Sequence, residues 1–185
     1  MNKELREKAL YQTERWWQQM HLDSLPEGML KAPSRYRAEL RRCATADAAM
    51  LTEGFRALWL ALPEEVQNDR RYSIEAWATI AAMLSHVVEK KSASFGACLG
   101  ELDARTGKPI VSELRLQQLQ GARNSQEFFS RLHRLIKQLK GKADPIQLTQ
   151  DILDWFDEHY ALQPRRADKR VAVRWALNYY QQANR

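Results

Sequence analysis

The stretch FFSRLHRLIKQLKG, residues 128–141, decides how the rest of the chain is read. Its apolar residues Phe128, Leu132, Leu135 and Leu139 recur three and four positions apart, which puts them on one face of an α-helix. Arg131, Arg134, Lys137 and Lys140 fall outside that face. Asn124, followed three residues later by Glu127, has the spacing of a capping box, so the helix begins just after Asn124, and Gly141 stops it. One side belongs to a core and the other is a row of cations.

The same periodicity extends in both directions. Asp144 before Pro145 opens a further helix with Ile146, Leu148, Ile152 and Trp155 inside, and Pro164 separates it from the last one, RADKRVAVRWALNYYQQ. Upstream, Ser112 starts a helix. Between 90 and 111 the pattern weakens, because Lys90, Lys91, Gly96, Gly100, Gly107 and Pro109 break the chain into short pieces. A boundary is placed there, between an N-terminal unit of residues 1–92 and a C-terminal unit of residues 93–185.

In the N-terminal unit, Ile74, Trp77, Ile80, Ala81, Leu84 and Val87 mark a buried helix over 74–88. A single apolar helix is predicted from about Ala46 through Met50, Leu51, Phe55, Leu58, Trp59 and Leu62, ending before Pro63. Ser34 can cap a short helix with Tyr36, Leu40 and Cys43 on one side and Arg37 and Arg41 on another. A loop with Pro26, Gly28 and Pro33 precedes it, after a first helix over about 2–20 that carries Leu5, Leu10, Trp17 and Met20 on one face. Only seven Gly and six Pro interrupt 185 residues, and no segment alternates as a strand. The fold class is all-α: two small helical bundles joined by a short irregular segment.

The net charge of +6 is unevenly distributed. Residues 31–42 carry five basic side chains against Glu39, residues 102–142 nine against three acids, and residues 164–185 six against Asp168. The remaining segments are acidic in sum, at −9. Basic blocks on amphipathic helices can line up into a stripe that tracks phosphates without reading sequence.

Signatures of catalysis are missing. There is no GxxxxGK[ST] loop, no GxSxG elbow and no HExxH pattern. Asp151, Asp154, Asp157 and Glu158 share a helix face but lack a complementary cluster, and solvation of a helix surface is the simpler reading. Gly96 and Gly100, flanking ACL, have the spacing of small-residue helix packing rather than of a nucleotide cradle. The six tryptophans read as core, with Trp16 or Trp17 the candidates for a partner surface. Cys43 and Cys98 are isolated, which indicates neither a disulfide framework nor a metal site. The charged first residues lack a signal peptide's apolar run, and no stretch approaches a membrane span. A cytoplasmic protein with no cofactor, metal or small-molecule substrate is expected.

Taken in order, WWQQ, RAELRR, GFRALWLAL, FGACLG, VSELRLQQL, LHRLIKQL and DKRVAVRWALNYY resemble the CasB family, the small subunit of the type I-E CRISPR Cascade complex. The resemblance implies two helical bundles in a non-catalytic subunit that sits beside the backbone subunits, the large subunit and a second copy of itself. It also implies contact with guide RNA and target DNA, holding the strand displaced when the guide pairs with its target. Its basic positions carry over to Arg41 and Arg42 in RAELRR, to Arg70 or Arg71, to Arg115 in SELRL, to Arg134 in LHRL, and to Lys169, Arg170 and Arg174. Arg131 joins them from the basic side of its helix. A stand-alone helical DNA-binding regulator is the alternative, with the helix over 125–140 in a major groove. Few Asn or Gln side chains stand beside its arginines to read bases.

Overall fold

The computed structural model describes residues 3–68, 73–163 and 165–184. Eleven α-helices form among them, as a chain poor in Gly and Pro favours. Two compact units divide between His86 and Val87.

The first unit holds α1 (Lys3–His21), α2 (Ser34–Arg42), α3 (Ala46–Met50), α4 (Glu53–Ala61), α5 (Glu64–Asn68) and α6 (Ile74–His86). Every residue of α6 from Ala76 to Ser85 is buried, the mark of a helix enclosed on all sides. Helices α1 to α4 pack around it. Its alanines 76, 78, 81 and 82 leave room for them, while Trp77, Ile80 and Leu84 fill the space between. Ile74, grouped with these by spacing, is instead 43% exposed at the helix start. Trp16 and Trp17 are both core, and Trp16 Nε1 donates to the Gly54 carbonyl at 3.0 Å.

The apolar helix expected over 46–62 is two helices. Thr52 accepts from Phe55 N–H at 3.1 Å and donates to Ala49 O at 2.8 Å, ending α3 and starting α4. A threonine that can cap competes with the helix it would otherwise continue. Leu51 at the break is 80% exposed, not part of the core. The cap of α2 also differs: Pro33 holds that position with no side-chain hydrogen bond, and Ser34 is already helical.

The second unit contains β1 (Glu89–Lys90), α7 (Phe95–Gly100), α8 (Glu113–Gln120), α9 (Ser125–Gln138), β2 (Lys142–Ala143), α10 (Pro145–His159), a 3-10 turn (Ala167–Lys169) and α11 (Val171–Ala183). Strands were not expected, yet β1 and β2 pair in parallel, Glu89 with Lys142 and Lys90 with Ala143. They are too short for alternation to appear in sequence. Asn124 accepts from Glu127 N–H at 2.8 Å, as the spacing called for, while the Glu127 carboxylate reaches one residue further back than a capping box does and accepts from Arg123 N–H at 3.2 Å. At the other end Lys140 and Gly141 turn left-handed, with φ of 54° and 73°. Gly141 N–H donates to Ile136 O at 3.0 Å, closing the helix.

The core here is aromatic. Phe128 stacks on Trp155 with ring centroids 4.0 Å apart, lies parallel to Trp175 at 6.4 Å, and meets Phe156 edge-on. Such contacts add to the burial of large side chains and hold α9, α10 and α11 in fixed register.

Candidate nucleic-acid interface

Helix α9 turns Phe128, Leu132, Leu135, Ile136 and Leu139 inward. Arg134, Lys137 and Lys140 are exposed, and their side chains form no ion pair or hydrogen bond with the described residues. Arg134 and Lys137 are about 4.5 Å apart along the axis, close enough for both to face one anion. Arg115 on α8 and Arg42 at the end of α2 are likewise exposed and have no partner among the described residues. Exposed cations with no carboxylate partner keep their charge available for phosphate.

Other candidates are engaged. Arg131 forms an ion pair with Glu127 at 2.8 Å and donates to Gln118 O. Arg41 donates through Nε to Ser85 O at 2.8 Å, and Arg37 donates to Met20 O at 3.4 Å. These carbonyls lie in the last turns of α6 and α1, where unsatisfied acceptors and the negative helix end favour a cation. His21 donates its Nε2 hydrogen to Leu84 O at 3.1 Å in the same cluster. Burial, with Arg37 and Arg41 nearby, lowers its pKa to about 4, so the ring is neutral.

The C-terminal basic block meets the acidic block of α10. Asp151 and Asp154, read from sequence as a solvated surface, are 8% and 6% exposed. Arg174 Nη2 donates to Asp151 Oδ1 and to Asp154 Oδ2, each at 2.8 Å, and Trp175 Nε1 donates to Asp151 Oδ2 at 2.7 Å. Arg165 bridges Asp154, Asp157 and Glu158 at 3.2 to 3.4 Å. The Glu158 carboxylate accepts from Val171 N–H at 3.0 Å and so caps α11. Burial pushes the Asp151 carboxyl up, against hydrogen bonds from Trp175 and Arg174 that lower it. Much of the charge counted over 164–185 is thus neutralised within the unit. Lys169 lies 3.6 Å from Asp168 and is largely exposed, and Arg170 donates to Arg165 O.

Arg70 and Arg71 lie outside the described residues. Exposed Arg123, just before α9, and Lys137 and Lys140 were not among the selected positions. Their signal was the spacing of Lys137 and Lys140 from Arg134. Among the described residues no group of three or more His, Cys, Asp and Glu could hold a metal ion, and no helix is long and apolar enough to cross a membrane.

A family model described as CRISPR-associated protein Cse2 matches residues 36–180, well over half the chain. It spans α8, α9 and α10 and the acidic and basic partners between α10 and α11. No curated protein and no solved structure matches.

Proposed function

Because the chain belongs to the CRISPR-associated Cse2 family, the small-subunit family of type I-E Cascade, we propose that its exposed arginines hold nucleic-acid backbone in that RNA-guided complex. The strand held is the displaced non-target DNA, and the effect is to stabilise the R-loop in antiviral defence. The subunit is non-catalytic and works beside the backbone and large subunits, a second copy of itself, guide RNA and target DNA.

One observation carries this reading: Arg42, Arg115 and Arg134 are exposed cations with no ion-pair or hydrogen-bond partner among the described residues, on helices whose other residues reach the core. Guide pairing already reads the sequence, so a strand-holding subunit needs only charges in fixed positions. Exchange of DNA duplex for RNA–DNA heteroduplex is close to balance, and a few phosphate contacts on the displaced strand tip it. Arg41 in the first unit and Lys169 and Arg170 in the second add positive charge that attracts phosphate; Arg70 and Arg71, carried over by the resemblance, lie outside the described residues. Arg131 and Arg174 support the fold that presents the others.

The test is the lifetime of the R-loop on a fully matched duplex, set against affinity for a target supplied as a single strand. In the assembled complex, replacing Arg42, Arg115 and Arg134 together by Ala should shorten the first and spare the second. No change in either, or loss of both with disassembly, rejects the reading. Strong preference of the isolated chain for one duplex sequence would favour the stand-alone regulator.

A further inference from the structure

Between α7 and α8 the chain makes a hairpin that the basic helices do not account for. Its stem is closed by an antiparallel bridge between Leu102 and Pro109. Asp103 N–H donates to Lys108 O, and Ile110 N–H to Glu101 O, both at 2.8 Å. Two side chains fasten the tip, Thr106 by accepting from Lys108 N–H at 3.4 Å and Asp103 more extensively. Asp103 Oδ1 accepts from the backbone N–H of Arg105 and of Thr106, each at 3.0 Å. The Asp103 carbonyl accepts from Thr106 N–H at 3.2 Å and Gly107 N–H at 2.8 Å. Gly107 has a φ of +64°, where a β-carbon is strained. Beneath the stem, Tyr179 Oη donates to Val111 O at 2.8 Å, tying the hairpin's exit to the core.

Two cations sit on this scaffold without helping to build it. The side chains of Arg105 and Lys108 are exposed and form no ion pair or hydrogen bond with the described residues. Lys142 and Arg166 of the same unit rest on carboxylates, whereas Arg105 and Lys108 share the unpartnered state of Arg115 and Arg134 among the described residues. The turn satisfies its backbone through Asp103, so neither cation is required for it. Ordering the backbone in advance reduces the entropy lost when an anion binds the side chains above it.

We propose that the loop from Asp103 to Lys108 is a second phosphate-binding element: Arg105 and Lys108 contact the backbone of single-stranded nucleic acid, and Asp103 is a positioning residue that holds the loop in shape. This rests on the nucleic-acid reading above. The tip offers only Ala104, Thr106 and Gly107 between its charged residues. It lacks the aromatic or large apolar anchor on which protein interfaces depend, whereas phosphate contact needs only placed charges.

Asp103 separates shape from charge. Asp103→Ala removes a negative charge beside the two cations, so if net charge alone governed affinity, binding would tighten. If the ordered loop matters, it weakens. Asp103→Asn keeps an oxygen acceptor for the two N–H groups while removing the charge, and should bind at least as tightly as the unaltered chain.

The measurement is fluorescence anisotropy of a labelled oligothymidine with the full chain across a salt series, with circular dichroism to check folding. Arg105→Ala with Lys108→Ala should weaken binding roughly fivefold and reduce the slope of log K against log salt by about 1.4, at about 0.7 per contact. Asp103→Ala should weaken it roughly threefold with helicity unchanged. Tighter binding by Asp103→Ala overturns the positioning role. No effect of the double variant, while the Arg42, Arg115 and Arg134 variant does weaken binding, overturns the second site and leaves the proposed function standing. No effect of either set removes both. If the double variant lost poly-glutamate binding as strongly as oligothymidine binding, an acidic protein would be the occupant and the nucleic-acid assignment would fall.

Discussion

Gly100 lies so close to Tyr179 that a β-carbon on it would come within 2.3 Å of the Tyr179 carbonyl oxygen. One turn earlier, Gly96 meets the Trp175 carbonyl at 2.5 Å by the same construction. The two glycines form the flat side of α7 against which α11 rests. Because the obstructing atoms are backbone, they cannot rotate away. Gly100→Ala should destabilise the second unit by about 3 kcal/mol, toward the upper end for overpacking. Gly28, left-handed at φ +78° but with open space around it, should lose only about 1 kcal/mol on the same change. Urea denaturation of the two variants checks the contrast.

Removing Asp151 should do more damage than removing any exposed arginine. Asp151→Ala leaves Trp175 Nε1 buried without its acceptor and takes one of the two carboxylates from Arg174. A loss of about 3 kcal/mol is expected. Arg134→Ala should change stability by no more than about 0.5 kcal/mol. Equal effects in thermal or urea unfolding would contradict the buried placement.

His21 should make the first unit sensitive to mild acid. Its folded pKa is lowered from 6.5 to about 4 by burial and by Arg37 and Arg41. Between those values the unfolded chain binds the proton and the folded one resists it, so stability falls as the pH drops through that window. The full effect is on the order of 3 kcal/mol. His21→Gln should flatten the dependence, and an NMR titration should show the imidazole neutral at pH 6.

Asp151 and Glu158 act in the opposite sense. Burial raises both carboxyls above their ordinary values, so the folded state takes up protons before the unfolded one does. Their contribution therefore improves stability as the pH falls toward the ordinary carboxylate range. Asp151→Asn should remove the Asp151 share of this dependence, read from urea midpoints measured across pH.

The isolated chain should bind single strands weakly and with a steep dependence on salt. Engagement of about four phosphates gives a slope of log K against log salt near −3. A flat response would point away from phosphate contact.

Local order determined much of what could be read in advance. The capping of α9 by Asn124 and Glu127, the stop at Gly141 and the packing role of Gly96 and Gly100 follow from residues within a turn or two of one another. The break at Thr52 was legible in kind, since threonine caps helices, but apolar spacing on both sides of it pointed to one continuous helix. The parallel pairing of Glu89–Lys90 with Lys142–Ala143 left no sequence pattern, because two residues cannot alternate.

The sequence by itself determined that the chain is helical, that several of its helices have basic faces, and where some of them begin and end, because those properties depend on side chains three or four positions apart. Which cations remain free was decided by tertiary structure alone. Arg174 meets Asp151 across 23 positions and Arg41 meets Ser85 across 44, while Arg42 and Arg134, equally basic in sequence, meet no partner among the described residues. A charge acts on whatever lies within a few ångströms of it, and only the packing of α2 on α6 and of α10 on α11 sets those distances.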